Sequence, residues 1–124
     1  MRRALLTAAL SLLAGACQVD GEESSLEATC DQLAEVTCSK FFECFTPEEL
    51  AAAMVPASEA DCVAATRADY QCASQTLDTT CAAGTTYDPV MGSQCIEQYR
   101  ALSCDALRND LEDTDTPACA QVCR

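Results

Sequence analysis

The fold is decided by one stretch, Leu26 to Phe45, with the sequence LEATCDQLAEVTCSKFFECF. At 100° per residue, its apolar residues and cysteines collect on one face of a helix, and its acidic residues lie opposite. The inner face carries Cys30, Leu33, Ala34, Thr37, Cys38, Phe41, Cys44 and Phe45, and the outer face carries Asp31, Glu35, Ser39 and Glu43. The stretch therefore predicts an amphipathic helix with three cysteines toward the core.

These cysteines cannot pair with one another. Cys30 and Cys38 lie about 12 Å apart at 1.5 Å rise per residue, beyond the roughly 7 Å between Cα atoms that a disulfide can span. We therefore expect bridges that join one helix to another. The predicted disulfide cysteines are Cys30, Cys38, Cys44, Cys62, Cys72, Cys81, Cys95, Cys104, Cys119 and Cys123. The sequence leaves their pairing open, apart from one predicted local pair, Cys104 with Cys119, which would close an acidic loop.

Helix-start signals follow the first helix. Thr46 begins a second helix in a capping box, because proline occupies the first helical position and Glu49 stands three residues later. Ser58 begins a third helix that runs toward Cys72. Asp88, followed by proline, begins another; Ser93 is a competing start because the glycine before it weakens the first turn. Three shorter features are predicted: a helical turn at Leu77–Cys81, a polar acidic loop at Asn109–Thr116 and a final turn at Ala118–Cys123.

No run of residues alternates as a strand would, so the predicted class is all-α, a disulfide-stapled bundle of about four to five short helices over residues 26–124. The chain has 11 cysteines, three Phe, three Tyr and no Trp in 124 residues. Such a composition is typical of small exported domains whose disulfides supplement a thin core. Packed helices are expected rather than a roomy ligand cavity.

The N-terminus predicts export. Arg2 and Arg3 precede an apolar run over residues 4–14, which is too short to span a bilayer of about 30 Å, so residues 1–16 read as a signal peptide. Ala14 to Ala16 fit ordinary A-x-A cleavage. The alternative is that Leu13 to Cys17 resembles the lipobox of bacterial lipoproteins, in which the cysteine is acylated. Lipidation at Cys17 is favoured because ten cysteines then remain, and all of them can pair.

Residues 17–25 predict a short, acidic, flexible tether after the lipid. The tether would hold the domain close to its membrane through the N-terminal lipid anchor. Gln18 follows the cysteine where, in the best-known sorting rule, aspartate signals inner-membrane retention, so the predicted location is the bacterial cell envelope, at the outer membrane. Ordinary cleavage would instead give a periplasmic or secreted protein.

The mature chain is strongly acidic. Without Arg2 and Arg3, 5 basic residues remain against 20 acidic ones, which gives a net charge of −15. Such a surface repels nucleic acid and anionic headgroups, so nucleic-acid binding is disfavoured and a basic protein partner is favoured.

The residue types present also exclude or disfavour several kinds of catalytic and metal-binding site. The chain has no histidine, which removes Ser/His/Asp and Cys/His nucleophile systems, and it has no C-x2-C pair, which disfavours zinc and iron–sulfur sites. The carboxylates of Asn109–Asp115 lack the glycine and the final glutamate of an EF-hand loop. Tyr87 and Asp88 could form a dyad in a functional site, but Asp88 is already explained as a helix cap. No catalytic residue, metal site or cofactor is predicted, and an enzyme is not expected.

One family resemblance joins these features. The signal with Cys17, the spacing C-x7-C-x5-C on the first helix, the stretch Gly84–Asp88 and the closing Pro117–Cys119 resemble small cysteine-rich lipoproteins of myxobacteria. The resemblance implies residence in the cell envelope and no particular activity. The sequence therefore favours one function and leaves one alternative open. The first is a non-enzymatic helical interaction or surface module; the alternative is a secreted helical inhibitor or small-ligand carrier.

Acylation of Cys17 is the first testable prediction. The wild-type protein, expressed in a bacterium, is expected to enter the detergent phase in a detergent phase-partitioning assay, whereas Cys17→Ser stays in the aqueous phase, because the acyl chains are lost with the cysteine. Aqueous partitioning of both proteins would contradict lipidation and favour A-x-A cleavage.

Overall fold

The computed structural model describes residues 25–75 and 81–124. Within these residues the chain forms six α-helices: α1 (Leu26–Cys44), α2 (Pro47–Ala52), α3 (Glu59–Asp69), α4 (Pro89–Ala101), α5 (Cys104–Arg108) and α6 (Glu112–Asp115). Two 3₁₀ turns accompany them, η1 (Cys72–Ser74) and η2 (Cys119–Gln121). This part of the chain contains no β-strand, only one isolated antiparallel bridge between Tyr87 and Cys123. The all-α prediction is confirmed.

The described part of the chain has six helices against about four to five predicted, and the two short ones, α5 and α6, have 5 and 4 residues. Ser103 caps α5 by accepting the amide of the third helical residue at 3.0 Å. Helix α6 interrupts the predicted acidic loop at Asn109–Thr116, where the Asp115 amide donates to the Leu111 carbonyl. The helical turn predicted over 77–81 falls on residues outside the described part, which resumes at its last position.

Hydrogen bonds confirm the predicted helix starts. The Thr46 hydroxyl accepts the Glu49 amide at 3.3 Å and the Glu49 carboxylate accepts the Thr46 amide at 2.7 Å, which completes the capping box. The Ser58 hydroxyl caps α3 in the same manner. Asp88 accepts the next two free amides at 2.9 and 3.0 Å. Helix α4 therefore begins directly after Asp88, and the competing start at Ser93 is wrong.

Helix α1 lies at the centre of the disulfide framework and packs against α3, α4, α5 and η1. All ten predicted cysteines pair, and three of the five disulfides start on α1: Cys30–Cys72, Cys38–Cys62 and Cys44–Cys104. The C-terminal half adds the other two, Cys81–Cys123 and Cys95–Cys119. Because each α1 cysteine meets a different segment, this one helix fixes the positions of η1, α3 and α5.

The predicted local pair of Cys104 with Cys119 is wrong. Cys104 is the first residue of α5, which packs against the C-terminal end of α1 and so presents this cysteine to Cys44. Cys119 instead lies in η2, which packs on α4, and the Ala118 amide donates to the Gln98 side chain of that helix at 2.9 Å. The pairing of these two cysteines is therefore set by the helix on which each segment packs and not by their closeness in sequence. The prediction that bridges join helices also fails for Cys81–Cys123, which joins a bend to the C-terminus.

Cysteine and alanine fill the core, as the composition predicts. Of the 14 buried apolar residues in the described part, six are cysteines and three are alanines. The larger side chains gather in one cluster, where Phe41 and Phe45 pack over buried Leu102 and Leu107. Disulfides thus occupy positions that large side chains hold in a cytosolic domain, which agrees with the expected role of bridges in a small core.

The helix-terminating position after α2 is held by Met54, a residue that is unusual there. The Val55 amide donates to the Leu50 carbonyl at 2.9 Å and the Met54 amide donates to the Ala51 carbonyl at 3.1 Å, the two bonds of a Schellman motif. Met54 has φ 57°, in the left-handed region that this position requires. Glycine is the usual residue there because it has no Cβ to clash. Met54 is also 90% exposed, so the fold gains little from its side chain.

The Cys44–Cys104 bridge generates a stability prediction. Its sequence separation of 60 residues is the largest of the five. We expect the double variant Cys44→Ser, Cys104→Ser to lose on the order of 4 kcal/mol in the free energy of unfolding, because that loop is no longer closed in the unfolded chain. Denaturant titration of the oxidised proteins measures this loss. A loss below about 1 kcal/mol, or an unreduced wild-type digest that releases Cys44 and Cys104 on separate peptides, would contradict the assignment.

Candidate functional site

A groove of about 890 Å³ opens between the start of α1, helix α4 and the C-terminal residues. Its walls are mainly apolar and aromatic, formed by Leu26, Leu33, Tyr70, Tyr87, Tyr99 and Val122. The expectation of packed helices without a roomy cavity therefore applies to the interior but not to this face. The groove stays open because disulfides, rather than large side chains, hold the surrounding segments together.

One hydrogen bond at the groove joins α1 to a residue two positions before α4. The Tyr87 hydroxyl and the Thr29 hydroxyl bond to each other, although 58 positions separate them in sequence. Gly92 makes this approach possible, since a Cβ at that position would lie 2.6 Å from the Tyr87 hydroxyl oxygen and 3.3 Å from the Thr29 methyl carbon. Gly92 is therefore required by packing, a role that its weak helix propensity alone does not reveal.

Asp88 serves the fold at the edge of this groove. Hydrogen bonds from the Met91 amide, together with the Arg124 guanidinium, lower the pKa of Asp88. The same segment pairs with the C-terminus, because the Thr86 amide donates to the Arg124 carbonyl at 2.8 Å and the Arg124 amide returns a bond at 2.9 Å. The Tyr87–Asp88 pair therefore consists of a groove wall and a helix cap, and both of its polar groups are engaged in contacts within the chain.

Glu49 and Arg108 form an ion pair with two hydrogen bonds away from the groove. Arg108 donates to the Glu49 carboxylate at 2.8 and 3.1 Å and also to the Cys44 carbonyl, and its guanidinium lies 4.8 Å from the centre of the Phe45 ring. The hydrogen bond from Arg108, followed by that from the Thr46 amide, lowers the pKa of Glu49 to about 2. The same contact raises the pKa of Arg108. This pair fastens α2 to α5, a role that no local sequence signal predicts.

Every basic side chain in the described part already has an acidic partner in the same chain. The pairs are Lys40–Glu43, Arg67 with Asp31 and Glu35, Arg100–Glu97, Arg108–Glu49 and Arg124–Asp88. Other carboxylates, such as those of Glu27, Glu48 and Asp69, lie on the exposed surface outside these pairs. The surface potential is therefore set by acidic groups, because no described cation is left to offset them.

No group of three or more Cys, Asp or Glu side chains among residues 25–75 and 81–124 is arranged to hold a metal ion. The ten cysteines are consumed by disulfides, and Asp113 and Asp115 of α6 are exposed. The predicted lipidation site, Cys17, lies outside the described residues, as does the predicted signal peptide. None of the described helices combines the length and the apolar content needed to cross a bilayer.

Comparison with protein-family models, with curated proteins and with solved structures finds no match to this chain. The resemblance to myxobacterial lipoproteins therefore stays a prediction.

The Glu49–Arg108 pair predicts a pH dependence of stability. A folded pKa of about 2, below the ordinary value of 4.5, means that the pair stabilises the fold above pH 4.5 and loses its effect as the pH falls toward 2. Glu49→Gln keeps the capping-box geometry but removes the charge. We expect this variant to unfold at lower denaturant concentration than wild type near neutral pH and at nearly the same concentration at about pH 2.

The matched control is Glu48→Gln, which removes a neighbouring exposed carboxylate with no ion pair in the described structure. Its denaturation midpoint should stay close to that of wild type at both pH values. A Glu49→Gln deficit that persists unchanged at about pH 2 would contradict the assigned pair.

Proposed function

We propose that this protein is a non-enzymatic module of the bacterial cell envelope, anchored by lipid at Cys17, that binds a basic protein partner by surface contact. The observation that carries the proposal is the internal pairing of every described cation. With its basic groups already occupied, the domain presents its remaining carboxylates to any approaching molecule. A mature charge of −15 then accelerates encounter with cationic surfaces and repels anionic ones.

The roles of the chain's reactive groups support a binding function over catalysis. The ten domain cysteines are oxidised and cannot act as thiolate nucleophiles. The carboxylates of Glu49 and Asp88, whose pKa values are lowered, fasten helix ends. The chain contains no histidine to serve as a base near neutral pH.

A second candidate is a carrier of a small apolar or aromatic ligand. The open groove favours it, because the rings of Tyr70, Tyr87 and Tyr99 offer aromatic surface in one place. A described core filled mainly by cysteine and alanine favours the interaction module instead. The module therefore remains the leading proposal.

The proposal is tested with oxidised Cys17→Ser protein and two fluorescent peptides of equal length, one of lysine and one of glutamate. We expect binding of the lysine peptide alone, with affinity that falls at least tenfold as salt rises from 0.1 M to 1 M, because the Debye length shortens from about 10 Å to about 3 Å. Fluorescence anisotropy measures both affinities. Equal binding of the two peptides, or affinity unchanged by salt, would overturn the electrostatic proposal.

Specific partners are then sought by cross-linking in the native envelope. Captured proteins are expected to carry basic surfaces. In a parallel capture without cross-linker, the same proteins should be released by 1 M salt. A set of captured proteins with acidic or neutral surfaces would contradict a basic partner.

A further inference from the structure

We propose that an apolar surface around α2 docks an amphipathic, basic segment of the partner protein, with exposed Met54, just after α2, as an additional anchor. This surface, called here the α2 surface, consists of the cavity-lining residues Phe42, Phe45, Leu50, Val55 and Pro56, together with exposed Met54, which lies between the lining residues Ala53 and Val55. The inference rests on the proposed function, since it names where and by what chemistry the basic partner is held.

Two shallow cavities give the α2 surface its shape. One, of about 240 Å³, includes Phe42 and Pro56 in its walls, and the other, of about 510 Å³, lies against Phe41. Both cavities share Phe45, Leu50 and Val55, so they lie on either side of one apolar ridge. Paired cavities about a ridge suit a helix that places apolar side chains at i, i+3 or i+4, and i+7.

Met54 lowers the stability of the fold in two ways. Its φ of 57° places a residue with a Cβ in the left-handed region, where the Cβ crowds the following carbonyl oxygen. Its side chain is 90% exposed, so burial in the domain does not offset that cost. Glycine at this Schellman position would stabilise the chain. A strained and exposed methionine is explained if its flexible thioether is buried by a partner.

Charge determines which partner fits. Glu48 lies beside the proline that lines one cavity, and Glu59 and Asp61 follow that cavity's last lining residue, Ala57; all three acids are exposed. The nearby cations are already engaged, Arg108 by Glu49 and Lys40 by Glu43. Asp61 also accepts the Ser58 hydroxyl, but none of the three acids forms an ion pair within the described residues. The charges of these three acids, called here the rim, therefore complement lysines and arginines on either side of an apolar stripe.

The same rim disfavours the other occupants. A second copy docked by the same surface would place acidic rims against each other, because a two-fold interface opposes identical patches. An anionic bilayer would bring phosphate groups against the rim. A cationic amphipathic segment is the occupant for which both the ridge and the rim are favourable.

The test uses oxidised Cys17→Ser protein as the parent and three fluorescent probes. The first is an 18-residue amphipathic peptide of leucine and lysine with helical spacing, the second has the same composition in scrambled order, and the third is the lysine peptide used above. We expect the first probe to bind the parent at least tenfold more tightly than the other two, because only it matches both the ridge and the rim.

Met54→Gly and Met54→Gln then separate fold from binding. Both are expected to weaken the first probe about tenfold and to leave the lysine peptide unchanged, because the anchor is lost while the charges remain. The glycine variant should also show a higher midpoint of thermal unfolding, since the backbone strain is relieved. The glutamine variant keeps the side-chain length and the backbone cost, so it isolates the apolar contact.

The matched control is Gln71→Gly. Gln71 is another exposed residue with positive φ, 53°, and it lies before η1 rather than on the α2 surface. This variant should relieve similar strain and bind all three probes as the parent does. Loss of binding in Gln71→Gly equal to that in Met54→Gly would overturn the role of Met54.

The outcomes distinguish this inference from the proposed function. If Met54→Gly and Met54→Gln bind the first probe as tightly as the parent, or if the scrambled peptide binds equally well, the α2 surface is wrong while the electrostatic function stands. If the lysine peptide fails to bind the parent, the proposed function itself fails. Concentration-dependent dimers of the parent that Met54→Gly abolishes, seen by sedimentation, would assign the surface to a second copy and overturn the basic partner.

Discussion

A single geometric constraint organises this protein: cysteines two turns apart on a helix lie too far apart to bond with each other. Each cysteine of α1 therefore has to bond to a cysteine of another segment. The bridges to Cys62, Cys72 and Cys104 place α3, η1 and α5 around α1. The remaining bridges then close the C-terminal half. Because covalent bonds do the work of large core side chains, cysteine and alanine suffice to fill the interior, and the fold is suited to an oxidising compartment.

The sequence predicts what local chemistry controls. Helix starts at Thr46, Ser58 and Asp88 follow from a hydroxyl or carboxylate that satisfies free amides, and such contacts reach only three residues. The pairing of Cys104 with Cys44 escapes prediction because it depends on how α5 packs on α1. Helices α5 and α6 escape for another reason: they span too few residues to establish an apolar period.

The features proposed for function also divide into those that the sequence predicts and those that depend on the fold. The net charge can be counted in the sequence, but the pairing of each described cation with a carboxylate, such as Arg108 with Glu49 across 59 positions, exists only in the fold. Gly92 and Met54 show two opposite uses of a residue that local propensity disfavours. Gly92 weakens its helix so that Tyr87 and Thr29 can meet, whereas Met54 replaces a favoured glycine and leaves an apolar side chain in water.

The two ends of the described domain lie close together. Leu26, the first residue of α1, and Val122, near the C-terminus, line the same groove. The α2 surface follows the far end of α1, about 28 Å away along a helix of 19 residues. The groove and the α2 surface therefore lie at opposite ends of α1. A small molecule in the groove and a macromolecule on the α2 surface would contact opposite poles of one small domain, so neither would exclude the other.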